Sequence, residues 1–368
     1  AERPVLYVGG GVIKAGAAPE LLAFAEAVNA PVVTTLMARG AFPDDHPLAL
    51  GMPGMHGLYT ATTAIQKSDV LVSLGARFDD RVTGDPNAFA PDAKIIHVDV
   101  DPAEIGKVRA ADVPIVGDAR SVLNDLLSGL RARREVADSP AREDWFAQLS
   151  RWKDQYPLAY EQDPDGPIKV QHFIERLYSI TGGDAVVTAG VGQHQMWASQ
   201  FWGFREPRSW INSGGLGTMG FAVPAAVGAK AARPDDLVIA LDGDGCFQMT
   251  CQELITATTE EIPVKIIVFN NGGYGMVKQW QNLFYGGRLS AVDLGFTYPD
   301  YPKLAEAMGC VGLRVDHPSE IDNAIEKVLS VNDRPVVLEV VVDGEEMCFP
   351  MVPAGGSNDR VVMRRDEL

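Results

Sequence analysis

The sequence is short of positive charge. It sets 32 Lys and Arg against 49 Asp and Glu, a formal net charge of −17. A chain so acidic does not offer the concentrated Lys and Arg that nucleic acid or an anionic membrane surface requires, so neither is expected as a partner. Small anionic ligands would need local basic residues instead. Cysteine is scarce too. Cys246, Cys251, Cys310 and Cys348 are the four, and no two form a CxxC pair, which argues against metal binding through sulfur. No secretory leader or long apolar span opens the sequence, so a reduced, cytoplasmic location is expected. The terminal Arg365-Asp366-Glu367-Leu368 looks only faintly like a retention tail, and without a signal peptide that reading has nothing to act on. Internal repeats and low-complexity tracts are missing.

What remains is an alternating α/β pattern. With 368 residues and 46% hydrophobic content, the chain is too long for one ordinary core and suggests two domains. The first shows strands at Pro4–Val8, Pro31–Thr35, Val70–Leu74, Ile95–Val98 and Pro114–Val116, with helical stretches between them, such as Pro19–Val28. A charged run from Arg131 to Asp138 precedes an aromatic-rich helix at about Arg142–Tyr156. The cluster Asp163-Pro164-Asp165-Gly166-Pro167 then reads as an exposed linker. The second domain has a helix near Val170–Ile180, a strand at Ala185–Ala189 and a closing strand at Pro335–Val342. We therefore expect domains at 1–160 and 161–350 and a tail at 351–368, both domains being α/β.

Two motifs in the second domain carry chemistry. Asp242-Gly243-Asp244-Gly245 follows the apolar strand Leu237–Leu241, and Asn270-Asn271 follows Val264–Phe269, placing Asn271 27 residues after Asp244. That interval holds a crossover helix, expected at about Gln252–Thr259, and the next strand, as in a parallel βαβ unit with buried strands. A carboxylate and a side-chain amide then meet at the C-terminal edge of the sheet, where such folds bind ligands. Gly243, Gly245, Gly272 and Gly273 allow a ligand to approach the backbone closely. Hard oxygen donors in this setting suit magnesium with phosphate oxygens completing its octahedron. Either motif alone is equally an ordinary turn after a strand.

The GDG and NN pair resembles the signature of thiamine-diphosphate enzymes of the pyruvate-decarboxylase-like kind. Four further segments narrow the resemblance to the large catalytic subunit of the acetohydroxyacid (acetolactate) synthases: Gly75-Ala76-Arg77-Phe78-Asp79-Asp80-Arg81-Val82-Thr83-Gly84, Gly192–Trp197, Gly214–Phe221 and Gly275–Trp280. The resemblance implies two parallel-sheet, three-layer α/β domains, a Rossmann-like FAD-binding middle domain and a thiamine-diphosphate-binding domain.

It also implies roles for particular residues. Asp244, Asn271 and the carbonyl of Gly273 would hold magnesium. Gln193 and His194 would contact the diphosphate, with Val191, Gly192, Gly217, Gly243, Gly245 and Gly275 close by. Met219 would be the apolar wedge beneath the cofactor rings, a task that suits an unbranched side chain. Met276 would lie near the thiazolium, and Trp280 would line the pocket of the second substrate. The segment from about Phe284 to Asp300 is expected to act as a closing loop.

In the first domain, Gly9-Gly10-Gly11 after a strand is a weak nucleotide signal by itself. Thr35-Leu36, Gly54-Met55-His56 and Gly75-Ala76-Arg77 with Asp79, Arg81 and Val82 strengthen it. Arg77 and Arg81 could neutralise phosphates or meet a substrate carboxylate. Asp99 and Asp118, with their neighbours Val100 and Ala119, could accept ribose or adenine hydrogen bonds. By resemblance the dinucleotide is FAD, bound structurally.

The activity implied is condensation of pyruvate with a second 2-oxo acid, pyruvate or 2-oxobutyrate, with loss of carbon dioxide. The products would be acetolactate or acetohydroxybutyrate, precursors of branched-chain amino acids. Members of the family usually carry a further N-terminal domain holding the cofactor-activating glutamate, and this sequence starts in the middle domain. Negligible carboligation is therefore expected of the chain alone. Homo-oligomers with sites between subunits, and a small regulatory subunit, are further implications. The readings that compete are a pyruvate oxidase or glyoxylate carboligase, and a non-catalytic cofactor-binding module.

Overall fold

The computed structural model describes residues 1–133, 140–294 and 299–368. Residues 134–138 of the charged run and 295–298 of the expected closing loop fall outside them. The chain divides into two compact units, residues 1–159 with 204–208 and 349–368, and residues 160–203 with 209–348.

The first unit is built on six parallel strands: β1 (Pro4–Val8), β2 (Val32–Thr34), β3 (Ala49–Gly51), β4 (Val70–Leu74), β5 (Lys94–Asp99) and β6 (Val113–Val116). Their order is β3-β2-β1-β4-β5-β6, the arrangement of dinucleotide-binding sheets. Alternation along β1 sorts the core into two faces. Leu6 and Val8 pack with the helices Ala18–Val28 and Ala119–Arg133 through Leu21, Phe24, Leu123 and Leu127. Val5 and Tyr7 face the opposite way, with Ile65 of the helix Tyr59–Gln66 and Trp145 and Leu149 of Pro140–Gln155.

The second unit repeats the scheme with β7 (Val186–Ala189), β8 (Trp210–Asn212), β9 (Val238–Gly243), β10 (Lys265–Asn270), β11 (Val311–Val315) and β12 (Val336–Val341). All run parallel in the order β11-β12-β10-β9-β7-β8. One face buries Ala240, Ile266, Val268 and Val337 under helices contributing Ala226, Leu254 and Tyr301. On the other, Phe173 meets Phe269 edge-on at 5.5 Å. The strand order reverses between β7 and β9, since β8 lies on one side of β7 and β9 on the other.

The ends of the two motif-bearing strands and the crossover between them differ from the sequence expectation. β9 and β10 run on to Gly243 and Asn270 because parallel pairing continues through Val268↔Asp242 and Phe269↔Gly243. The crossover between them holds two helices, Asp244–Thr250 and Glu253–Thr259, rather than one.

β10 opens on Lys265, a buried lysine whose Nζ donates to the Val331 carbonyl and, at 3.4 Å, to Asn332 Oδ1. Burial, helped by the charge of Lys230 and opposed by Asp333, pushes its ammonium down from 10.5 to about 8. Below pH 8 both folded and unfolded chains carry this charge, and the folded chain bears the full burial cost. Between pH 8 and 10.5 only the unfolded chain still holds the proton, so this group makes stability rise with pH there. Thermal melts of Lys265→Met are expected to lack that rise, and a variant profile parallel to the parent would contradict the assignment.

Candidate functional site

The second unit gathers its polar side chains at the C-terminal edge of its sheet. Beyond β7, Gly190-Val191-Gly192 leads into the helix Gln193–Phe201. Beyond β9, Asp244 opens the helix Asp244–Thr250, and beyond β10 a turn through Asn271–Tyr274 leads into the helix Gly275–Phe284. These segments, with Val342 and Asp343 after β12, wall one cleft with about 550 Å³ of free space that merges with solvent. The cleft lies where the strand order reverses, the position at which open α/β sheets bind ligands. The N-termini of Gln193–Phe201 and Gly275–Phe284 both face it, and exposed helix N–H groups favour an anion there.

Asp244 is almost fully buried. Its Oδ1 accepts the Gly245 N–H at 2.7 Å. Burial pushes the carboxyl up to about 7 despite the opposing N–H groups of Gly245, Gly272, Gly273 and Asn271. Its Oδ2 is buried and has no hydrogen-bond partner among the described residues. An orphaned carboxylate oxygen at the wall of a cleft calls for a partner that the protein itself does not supply, and magnesium fits the donor set. The turn beside it is stiffened from within: Asn271 Oδ1 accepts from Gly273 at 3.2 Å and Asn270 Oδ1 from Gly272 at 3.1 Å.

His194 forms the floor. A Cβ at Gly192 or Gly243 would stand 3.1 or 3.0 Å from its ring, and one at Gly190 would stand 3.1 Å from Nε2. Burial pushes this imidazole down to about 4, so it is neutral near pH 7. Behind it lie Asp242, pushed well up by burial, and Cys246, pushed up to about 12 by burial and by Asp242. The Cys246 thiol donates to the Val191 carbonyl at 3.0 Å. His194, Asp242 and Cys246 place their donor atoms within 4.8 Å of one another, a buried polar backing to the cleft. Gln193 is fixed by donating to Gln279 Oε1 at 2.8 Å and to the Glu346 carbonyl at 2.9 Å.

Most residues singled out for thiamine diphosphate come together here. Val191, Gly192, Gln193, His194, Met219 and Gly243 line the cleft, as do Asp244, Gly245, Asn271, Gly273, Gly275 and Met276. Gly217 and Trp280 are not among its lining residues. Trp280 is half-buried further along its helix, its ring 5.0 Å from that of Phe284. The sequence reading missed Tyr274, Trp197, Val170, Phe269 and Asp343, which also line the cleft. Asp343 had a signal, since it follows an apolar strand as Asp244 does. Trp197 lies in the Gly192–Trp197 segment already singled out, though no role was read for it, and Val170 comes from a helix whose contribution no local motif announces. The described part of the expected closing loop returns to the site: Tyr274 donates to the Val292 carbonyl at 2.8 Å and Leu294 to Gly272 at 3.1 Å.

In the first unit, the residues associated with a dinucleotide also share one sheet edge. Gly9 and Gly10 follow β1, Thr35 and Leu36 follow β2, Gly75 and Ala76 follow β4, Asp99 closes β5, and Asp118 and Ala119 follow β6. Met55 donates to the Arg81 carbonyl at 2.7 Å, which joins the Gly54–His56 loop to the Asp79–Val82 turn. Val100 is exposed beside Asp99. The carboxylates each hold local backbone: Asp79 accepts from Arg81, Asp99 from Asp101, and Asp118 from Arg120 and Ser121, all at 2.9–3.1 Å. Arg77 and Arg81 extend exposed guanidinium groups, Arg77 paired with Asp79. Gly9 has a packing reason to be glycine, since a Cβ there would lie 2.1 Å from the Gly75 carbonyl oxygen.

Comparison with known proteins accords with this geometry. Residues 190–340 match the family described as thiamine pyrophosphate enzyme, C-terminal TPP binding domain, and residues 1–126 match its central domain. The chain belongs to the thiamine pyrophosphate enzymes, and its second unit holds the thiamine-diphosphate-binding domain. Within that class it is similar to acetolactate synthases. It is 54% identical over 368 residues to the acetolactate synthase of Mycobacterium bovis, covering 99% of this chain and 59% of that protein. It is 55% identical over 364 residues to the acetolactate synthase large subunit of Corynebacterium glutamicum, covering 98% and 58%. The isozyme 3 large subunit of Escherichia coli K12 is 46% identical over 371 residues, covering 100% and 64%. The chain thus spans about three-fifths of the length of these curated relatives. Among the described residues, no helix is long and apolar enough to cross a membrane.

Proposed function

We propose that this chain is the FAD- and thiamine-diphosphate-binding part of an acetolactate synthase catalytic subunit, acting in the cytoplasm on 2-oxo acids for branched-chain amino acid synthesis. The observation that carries the reading is the orphaned, buried Oδ2 of Asp244 at a cleft faced by two helix N-termini. When bound, thiamine diphosphate supplies the nucleophilic carbon and the electron sink.

The protein's part is to anchor and orient. Asp244, Asn271 and the Gly273 carbonyl hold magnesium, and Gln193 with the amides near Gly192 and Gly275 receives the diphosphate. His194, neutral, approaches that anion without the burial cost of a second charge. Met219 and Met276 give the cleft its apolar walls, where water competes poorly for reacting groups. Trp280 belongs to the pocket for the second 2-oxo acid. In the first unit, Arg77 and Arg81 suit the phosphates of FAD, and the strand order puts the glycine turns of β1 and β4 side by side for it. The assembly is a homo-oligomer that also takes a regulatory small subunit.

Product analysis tests the reading. A chimera joining this chain to the part of the Corynebacterium relative that the match leaves out is expected to convert pyruvate to acetolactate. Acetate or tartronate semialdehyde as the main product would overturn it.

A further inference from the structure

β12 reads Val-Val-Leu-Glu-Val-Val, and its one charged side chain, Glu339, is 1% exposed. A carboxylate so buried is costly unless hydrogen bonds satisfy it, and a leucine there would match its neighbours. The neighbouring strands supply the bonds. Arg314, directly across on β11, donates from Nε to Glu339 Oε2 at 2.8 Å. Asn270, at the end of β10 on the other side, donates from Nδ2 to Oε1 at 2.6 Å.

Asn270 is thereby held at both ends, because its Oδ1 accepts the Gly272 N–H at 3.1 Å. Gly272 has φ +73°, so the chain turns sharply here and sends Asn271 and Gly273 to the cleft. The N–H groups of Asn271, Gly272 and Gly273 all bear on the Asp244 carboxyl. The link from Glu339 to the cleft therefore passes through one side chain and one turn.

We propose that Glu339 is a positioning residue for the cation site: by fixing Asn270 it sets the turn that presents Asn271 and the Gly273 carbonyl to magnesium. This rests on the reading of the cleft as a magnesium–diphosphate site. Arg314 has a different task. It neutralises the buried carboxylate and also reaches Asp300 at 3.3 Å, so its loss costs stability while the bond from Asn270 to Glu339 remains.

The test compares Glu339→Gln with Arg314→Met. A glutamine has one acceptor oxygen for two donors, and the charged Arg314 holds it more strongly than the neutral Asn270 does, so the amide nitrogen confronts Asn270. Calorimetric titration of each protein with thiamine diphosphate over a series of magnesium concentrations reads the cation site directly. For Glu339→Gln the apparent magnesium affinity is expected to fall about 10- to 100-fold, the usual effect of losing a group that orients a metal ligand. Amide hydrogen exchange at Gly272, measured without ligand, is expected to speed up at least about tenfold, as the loss of a held hydrogen bond implies. Arg314→Met is expected to melt at a lower temperature and keep its magnesium affinity within about threefold, since the contact with Asn270 survives. Unchanged magnesium dependence and unchanged Gly272 exchange in Glu339→Gln would overturn the positioning role alone. A parent protein that binds no thiamine diphosphate at any magnesium concentration would overturn the reading of the cleft, and the positioning role with it.

Discussion

Asp244→Asn is expected to abolish magnesium-dependent binding of thiamine diphosphate and, without ligand, to melt at a higher temperature than the parent. Both effects come from the same atom. Oδ2 is buried with no partner among the described residues, and burial outweighs the surrounding N–H groups in setting the carboxyl's affinity for a proton. An amide nitrogen in place of Oδ2 removes a charge that the apo protein holds at a cost, while the remaining oxygen still accepts from Gly245. Relief of that strain is worth on the order of 2 kcal/mol, or roughly 4–8 °C in a unit of this size. The loss of a charged ligand from magnesium goes the other way, by about 3 kcal/mol or more, a factor of at least about 100 in affinity. Differential scanning calorimetry with and without ligand checks both. An asparagine variant that melts lower than the parent and still shows a ligand-induced shift would remove the cation from this position.

Gly9→Ala is expected to have the other large effect, on the first unit's stability. The new Cβ would stand 2.1 Å from the Gly75 carbonyl oxygen and 2.5 Å from the Ala76 Cα. These are backbone atoms of the adjacent strand's turn, and Gly9 is itself tied to β4 by donating to the Leu74 carbonyl at 2.9 Å. No rotamer change relieves such a clash, so the cost sits at the upper end for overpacking, about 3 kcal/mol or more. Gly10→Ala is the control. Its Cβ would be 3.3 Å from the nearest atoms, those of Met37, and the residue opens a helix, where alanine is the better former. We expect Gly10→Ala to melt within about 2 °C of the parent, since the clash and the propensity gain are both small. Equal melting of the two variants would show that this turn is not glycine for reasons of packing.

The second prediction bears on what sequence reading can reach. Gly9-Gly10-Gly11 reads as three equivalent glycines suited to a phosphate, yet the requirement at Gly9 comes from Gly75, 66 residues away. No local pattern contains that contact. The strand-end motifs were legible because each is local: an apolar run, then glycine with an oxygen-bearing side chain, at the edge where parallel sheets bind ligands. Asn270 and Asn271 were legible as a pair but not as individuals. Because β10 continues through Asn270, successive side chains part company. Asn270 turns to Glu339 in the neighbouring strand while Asn271 reaches the cleft. Glu339 itself was hidden, since a single carboxylate in an apolar strand gives no sign of which neighbours satisfy it. Val170 was unreadable for the same reason, being supplied to the cleft by a helix whose place depends on the finished sheet.

Because every strand of the second unit runs parallel, its working residues crowd one rim and leave the opposite rim free for handling. The turn Asp333-Arg334 just before β12 is exposed, with side-chain accessibilities of 66% and 54%, its charges meeting each other. It is separated from Asp343 by the length of the strand. A fluorophore or an inserted affinity peptide at that turn therefore offers a way to follow or immobilise the protein while the cleft at the far rim goes undisturbed.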